Sequence, residues 1–184
     1  MINVIKRDGT SEPLDIEKLH KVVSFACEDI AGVSVSEVEL NSKIQFYDKI
    51  KSSDIQETLI KSAADLISES SPNYQWVAGR LINYHLRKQV YGQYEPCSLL
   101  DLVNKNIQRG FYDATILAKY SKKEFAKADS NIKHIRDNTL AFAAMEQWRG
   151  KYLVQNRVTK EIFETPQMAY MMIALTLFQD YPKD

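Results

Sequence analysis

Lys6 and Arg7 stand side by side in a Lys6-Arg7-Asp8-Gly9 turn, and Asp15 follows as the expected N-cap of an amphipathic helix. Cations beside a helix N-terminus suit an anion such as phosphate, because free backbone N–H groups and the helix dipole attract the same charge. His85 and Lys88, at i and i+3, share one helical face and could reach a single ligand. On residue types alone the blander reading stands first. The turn is then a solvated hairpin tip with an internal ion pair, and His85 and Lys88 are surface side chains. Nucleophilic and metal chemistry are harder to build. His20, His85 and His134 fall on separate expected helices, with no His-Glu-x-x-His and no i, i+4 pair. Neither a G-x-x-x-x-G-K-S/T loop nor a G-x-G-x-x-G occurs. Cys27 lies in an apolar helix face and reads as core, whereas Cys97 follows a proline at a segment boundary and has no evident activator. No catalytic residue and no metal ligand is assigned.

The elements that must hold these residues are mostly helical. Asn3–Lys6 and Thr10–Leu14 read as a hairpin around Arg7-Asp8-Gly9. Asp15 then opens a helix to about Ile30 with Ile16, Leu19, Val22, Val23 and Ala26 on its buried face. Ser36-Glu37-Val38-Glu39 and Ser53-Asp54-Ile55-Gln56 each have the form of a capping box. The first box opens a short helix carrying Val38, Ile44, Phe46 and Tyr47. The second opens one with Ile55, Leu59, Ala63, Leu66 and Ile67 in line. A longer helix runs from about Tyr74 to Tyr91, and Gly92 to Cys97 marks a boundary. The second half adds helices capped by Ser98, Asp113 and Ser121, a helix over residues 139–148, and a hairpin around Asn156-Arg157. Thr165-Pro166 opens a last helix. Met168, Met171, Met172, Ile173, Leu175, Leu177 and Phe178 surround much of it, so it is expected to be buried.

Composition narrows the function classes. The chain has 184 residues, 45% hydrophobic and 26% charged, which suits one or two folded domains rather than disorder. Lys and Arg balance Asp and Glu at 24 each, so nothing general draws the chain to nucleic acid or to an anionic membrane. Residues 1–95 hold 11 basic against 14 acidic side chains and residues 96–184 hold 13 against 10, so an anion site must be a local cluster. The longest apolar run, Met171–Phe178, is too short to span a bilayer, and the first residues lack an export signal. Two distant cysteines form neither a disulfide framework nor a zinc pattern. A cytoplasmic protein with reduced thiols is expected.

Taken in order, the segments resemble a known family. Val4-Ile5-Lys6-Arg7-Asp8-Gly9-Thr10 with Glu12 and Lys18 resembles the opening of an ATP-cone domain. Ile44-Gln45-Phe46-Tyr47-Asp48, Ser52-Ser53-Asp54-Ile55-Gln56, Ala63-Ala64-Asp65-Leu66-Ile67 and residues 88–96 (Lys-Gln-Val-Tyr-Gly-Gln-Tyr-Glu-Pro) continue the likeness. Residues 150–157 (Gly-Lys-Tyr-Leu-Val-Gln-Asn-Arg) resemble the segment before the catalytic barrel of class I ribonucleotide reductase large subunits. The likeness covers nearly the whole chain. It implies a mainly α (α+β) fold: residues 1–92 as a β-hairpin capping a four-helix ATP cone, and residues 93–184 as a helical region with one hairpin. It also implies ATP or dATP as an allosteric effector, with Mg2+, setting overall activity through subunit assembly. Carried over by position, Lys6 and Arg7 meet phosphates. Glu12, Pro13, Leu14, Asp15, Ile16, Glu17 and Lys18 hold base, ribose and phosphate. Phe46, Ser52, Ile55 and Gln56 form the opposite wall, and His85 and Lys88 close it. Four cations, Lys6, Arg7, Lys18 and Lys88, then converge on one triphosphate. The implied partners are the catalytic remainder of the large subunit and the radical-generating small subunit, in an oligomer, with no nucleic acid and no membrane.

Some positions depart from the family pattern. Strongly dATP-inhibited members often carry His where Gln56 stands and Asn where Asp15 stands, and Lys21 stands where Arg is common at a subunit contact. The family's radical cysteine, redox cysteines and specificity site follow the position of Asp184, so this chain by itself is expected not to reduce ribonucleotides. The alternative of another class is a stand-alone nucleotide-sensing module that controls a partner. A cone kept only as a structural element is a third reading.

Overall fold

The computed structural model describes residues 2–43 and 45–181; Ile44, expected on the second helix, and Asp184 lie outside them. The chain divides into two compact units. One comprises residues 1–85 with 138–146, and the other residues 86–137 with 147–184.

The first unit starts with strands β1 (Asn3–Ile5) and β2 (Ser11–Pro13), paired antiparallel with Val4 opposite Glu12. The turn closes by Gly9 N–H to Lys6 O at 3.0 Å and Lys6 N–H to Thr10 O at 2.8 Å. Gly9 has φ 85°, a left-handed conformation that glycine adopts without a Cβ clash. Helices α1 (Ile16–Cys27) and α2 (Val35–Lys43) follow, then β3 (Ile50–Lys51), α3 (Ser52–Asp65) and α4 (Tyr74–Tyr91). Strand β3 was not expected from the sequence. It lies parallel to β1, with Val4 opposite Ile50 and Ile5 opposite Lys51, giving the order β2-β1-β3. The loop before it is clasped by Asp48, whose Oδ1 accepts from both the backbone N–H and the Nδ2 of Asn3, at 2.8 and 2.9 Å.

The core is built from one face of each helix. Leu19, Val23 and Ala26 of α1, Val38 of α2, Ile55, Leu59 and Ala63 of α3, and Val77, Ala78, Leu81 and Ile82 of α4 are buried with Val4 and Ile50. Ile16 and Tyr47, read as apolar-face residues, are instead exposed. Two capping expectations are corrected. Helix α2 starts at Val35, and its first turn is capped by Ser34, whose Oγ accepts from Glu37 N–H, rather than by Ser36. Helix α3 starts one residue before Ser53, with Lys51 as N-cap and no side-chain cap bond.

The second unit carries α5 (Leu99–Gln108), α6 (Ile116–Lys119), α7 (Lys122–Asn131) and α9 (Pro166–Leu177), while α8 (Phe142–Gln147) begins within the first unit. Ser98 caps α5, and Ser121 with Glu124 forms the expected capping box of α7. The hairpin around Asn156-Arg157 is reduced to one antiparallel bridge, Gln155 with Ile162. Backbone bonds still close it, Asn156 N–H to Glu161 O at 2.8 Å and Phe163 N–H to Val154 O at 3.0 Å, and side chains add to its fixing. Glu164 Oε1 accepts from Val154 N–H at 2.8 Å and Oε2 from the Tyr112 hydroxyl, and Asn106 Nδ2 donates to Phe163 O at 2.9 Å. Helix α9 is not buried all round. Met168, Ala169 and Met172 are inside, while Ile173, Leu177 and Phe178 are 52%, 68% and 58% exposed. Only one face meets the unit's core, and nothing among the described residues covers the other.

Candidate functional site

The sheet sets the geometry. Because β1 lies between β2 and β3, its outgoing end brings Lys6 beside Lys51 and Ser52, the start of α3, while β2 delivers the chain to the start of α1. β2 runs back antiparallel, so α1 starts at the far end of β1, and an edge of ion pairs links the hairpin cations to its first turn. Lys6 Nζ lies 2.8 Å from Glu12 Oε1, Lys18 Nζ 3.8 Å from the same oxygen and 3.5 Å from Asp15 Oδ2. Glu12 is held below the usual carboxylate range, first by its hydrogen bond with Lys6. Asp15 is the N-cap of α1, as read from the sequence: its Oδ1 accepts from Lys18 N–H at 3.0 Å, and that bond leads in lowering its pKa. Asp8 is lowered by Thr10, which donates through Oγ1 and N–H.

Helix α4 closes toward this edge. The Arg7 guanidinium is tucked in far enough that desolvation lowers its pKa, an effect opposed by Tyr84 nearby. The next residue, His85, is mostly buried, with Nε2 3.5 Å from Glu57 Oε1 on α3. Ile55 is buried, Ser52, Phe46, Leu14 and Gln56 are half-buried, and Pro13, Ile16 and Glu17 are exposed. The Gln56 Oε1 is enclosed and takes no hydrogen bond among the described residues. Lys88 lies three residues beyond His85 on α4, within the second unit. Among the described residues no group of three or more His, Cys, Asp or Glu side chains could hold a metal ion.

Chemically, this edge brings cations together with their own counter-charges. Lys6 and Lys18 are already paired with Glu12 and Asp15, so the positive surplus is smaller than a count of cations suggests. The N–H of Lys18 is taken by Asp15, whereas the first turn of α3 has no side-chain cap. The first turn of α3 therefore offers the freer amide donors for a phosphate.

A family model described as "ATP cone domain" matches residues 2–89, which contain this whole edge. Over 98% of its length the chain is 51% identical to the ribonucleoside-diphosphate reductase 1 subunit alpha of Escherichia coli and 50% identical to the corresponding subunit of Haemophilus influenzae. It is 44% identical over its full length to the subunit of enterobacteria phage T4. The chain belongs to the class I ribonucleotide reductase alpha-subunit family, as its ATP-cone-bearing N-terminal part. It spans 24% of the length of each of these curated relatives.

Within this cone, three contributors escaped sequence reading. Strand β3 seats Ser52 next to Lys6, Asp48 fixes the loop carrying Phe46, and Tyr84 accompanies Arg7. The Asn3–Asp48 clasp spans residues 45 apart, so no local pattern announces it. Neither cysteine is activated. Burial pushes the Cys27 thiol up to about 11 and raises Cys97 as well, the opposite of what a reactive thiolate requires. No helix among the described residues is long and apolar enough to cross a membrane.

Proposed function

We propose that this chain binds ATP or dATP, with Mg2+, at the edge formed by β1, β2, α1, α3 and α4, and that it does so in the cytoplasm as the regulatory domain, residues 1–92, of a ribonucleoside-diphosphate reductase large subunit. The observation that carries the reading is the run of ion pairs linking Lys6, Glu12, Lys18 and Asp15, with the β1–β3 register setting Lys6 beside the uncapped start of α3, all inside the span matched by the cone model. Phosphates meet Lys6, Arg7, Lys18 and the Ser52 end of α3. Residues 12–17 hold the sugar and base. Phe46 and Ile55 supply an apolar wall, His85 a polar closure, and the enclosed Gln56 oxygen an acceptor for the adenine amino group. Because Glu12 and Asp15 occupy two of the cations, bound Mg2+ relieves their repulsion of the triphosphate.

Binding here sets overall activity by changing how the large subunit assembles with the radical-generating small subunit, residues 93–184 being the link to the catalytic part. The test is competition between ATP and GTP for the folded chain. Displacement of a fluorescent ATP analogue by ATP but not by GTP supports adenine recognition beside Gln56; equal displacement by both refutes it.

A further inference from the structure

The chain leaves the first compact unit after His85 and re-enters it for one short stretch, residues 138–146, with the second unit's segments on either side. Helix α4 holds this strap through three neighbouring residues. At Gly79 an added Cβ would lie 2.1 Å from Leu140 O, so only a hydrogen lets the strap's backbone approach. Asn83 Nδ2 donates to Asn138 Oδ1 at 2.6 Å, and both side chains are buried. Arg80 Nε donates to Asn138 O at 3.4 Å.

The same Arg80 reaches α1. Its Nη1 donates to Glu28 O at 2.5 Å and to Ala26 O at 3.5 Å, where the helix ends. Terminal carbonyls have no partner within their own helix, and a guanidinium is a strong donor to the negative end of the helix dipole. One side chain therefore grips both the C-terminal end of α1 and the strap. The opposite end of α1 carries Asp15 and Lys18, part of the nucleotide edge. An α-helix is stiff along its axis, so a displacement imposed at its first turn arrives at its last.

We propose that Arg80 is a coupling residue: it ties α1 to the 138–146 strap, so that nucleotide binding at one end of α1 is delivered through the strap to the polypeptide continuing from both of its ends. This rests on the nucleotide reading above. Arg80 touches no part of the proposed site, so its role is positioning. The close contact at Gly79 and the Asn83–Asn138 bond leave the strap little freedom to ignore a pull from Arg80.

The test is hydrogen exchange of the full chain, read by mass spectrometry with and without saturating MgATP, beside calorimetry of each variant. In the unsubstituted chain, ATP is expected to slow exchange both at residues 12–20 and in the strap. Arg80→Met is expected to bind ATP with little loss and to keep the response at residues 12–20 while losing that of the strap; Arg80→Lys restores part of it. Asn83→Leu, without nucleotide, is expected to speed strap exchange about fivefold, the net effect of one lost hydrogen bond on local opening. ATP binding that leaves the strap unchanged, or an undiminished strap response in Arg80→Met, overturns the coupling and spares the nucleotide reading. Should Arg80→Met not fold, a full response in Arg80→Lys with Asn83→Leu inert overturns it equally. Absence of ATP binding in the folded, unsubstituted chain overturns both.

Discussion

Gly79→Ala is the sharpest probe of how the first unit is completed. In an isolated helix interior this exchange stabilises by about 1 kcal/mol, because alanine loses less backbone entropy. Here the new methyl would stand 2.1 Å from Leu140 O, 3.2 Å from Leu140 C and 3.1 Å from Ala141 C, all backbone atoms. Ordinary contact starts at 3.4 Å, so the strap must retreat by more than an ångström. Overpacking of this kind costs about 1–3 kcal/mol, and a backbone carbonyl, which cannot swing aside as the end of a flexible side chain can, belongs at the upper end. Subtracting the helical gain leaves a net loss of about 2 kcal/mol, or about 4–8 °C in the unfolding midpoint of a chain this size. Thermal unfolding followed by circular dichroism measures it, with hydrogen exchange locating the weakened segment in 138–146. An unchanged or raised midpoint would show that the strap does not pack on α4 as described.

Lys6→Glu, which reverses the charge between Glu12 and the start of α3, is expected to weaken ATP binding by at least about tenfold while leaving the far-ultraviolet spectrum unchanged; competition binding measures it. Asp137 is buried, and desolvation raises its carboxyl to about 7 despite Arg87 and Gln167. Its folded pKa exceeds the unfolded one, so its stabilising share is complete below about pH 4 and is lost as pH rises through about 7. Urea titrations from pH 4 to 8 should show that decline, and Asp137→Asn should flatten it. Tyr112→Phe removes the hydroxyl donated to buried Glu164, whose pKa burial already raises; it is expected to cost about 1–3 kcal/mol in urea unfolding and to raise that carboxyl further.

What the sequence disclosed is what local chemistry encodes. Asp15, Ser98 and the Ser121–Glu124 box lie at helix starts because capping involves residues within one turn of each other. The apolar face of α4, Tyr74 to Ile82, follows from its spacing and is buried throughout. The residues proposed at the site were legible mainly through their resemblance to the cone family, since Lys6-Arg7 alone reads as a solvated turn. Long-range partners stayed hidden. Strand β3 is two residues long and exists through pairing with β1, and the strap is specified by an absent side chain at Gly79 rather than by a present one. Ser36 is the expected cap of α2, but Ser34-Val35-Ser36-Glu37 has the same form two residues earlier, and it is Ser34 that bonds Glu37 N–H. Helix α9, apolar on every side, gives no direction, so its sequence cannot say which half meets the core.

Calorimetric titration of the folded chain with ATP and with dATP, each with Mg2+, tests the central claim most directly. Saturable binding of ATP that disappears in Lys6→Glu is the expected result, and the ratio of the two affinities then reports how Asp15 and Gln56 read the ribose and base. No heat from either nucleotide, in a chain whose circular dichroism shows it folded, would contradict the account and leave the cone a structural element without a ligand.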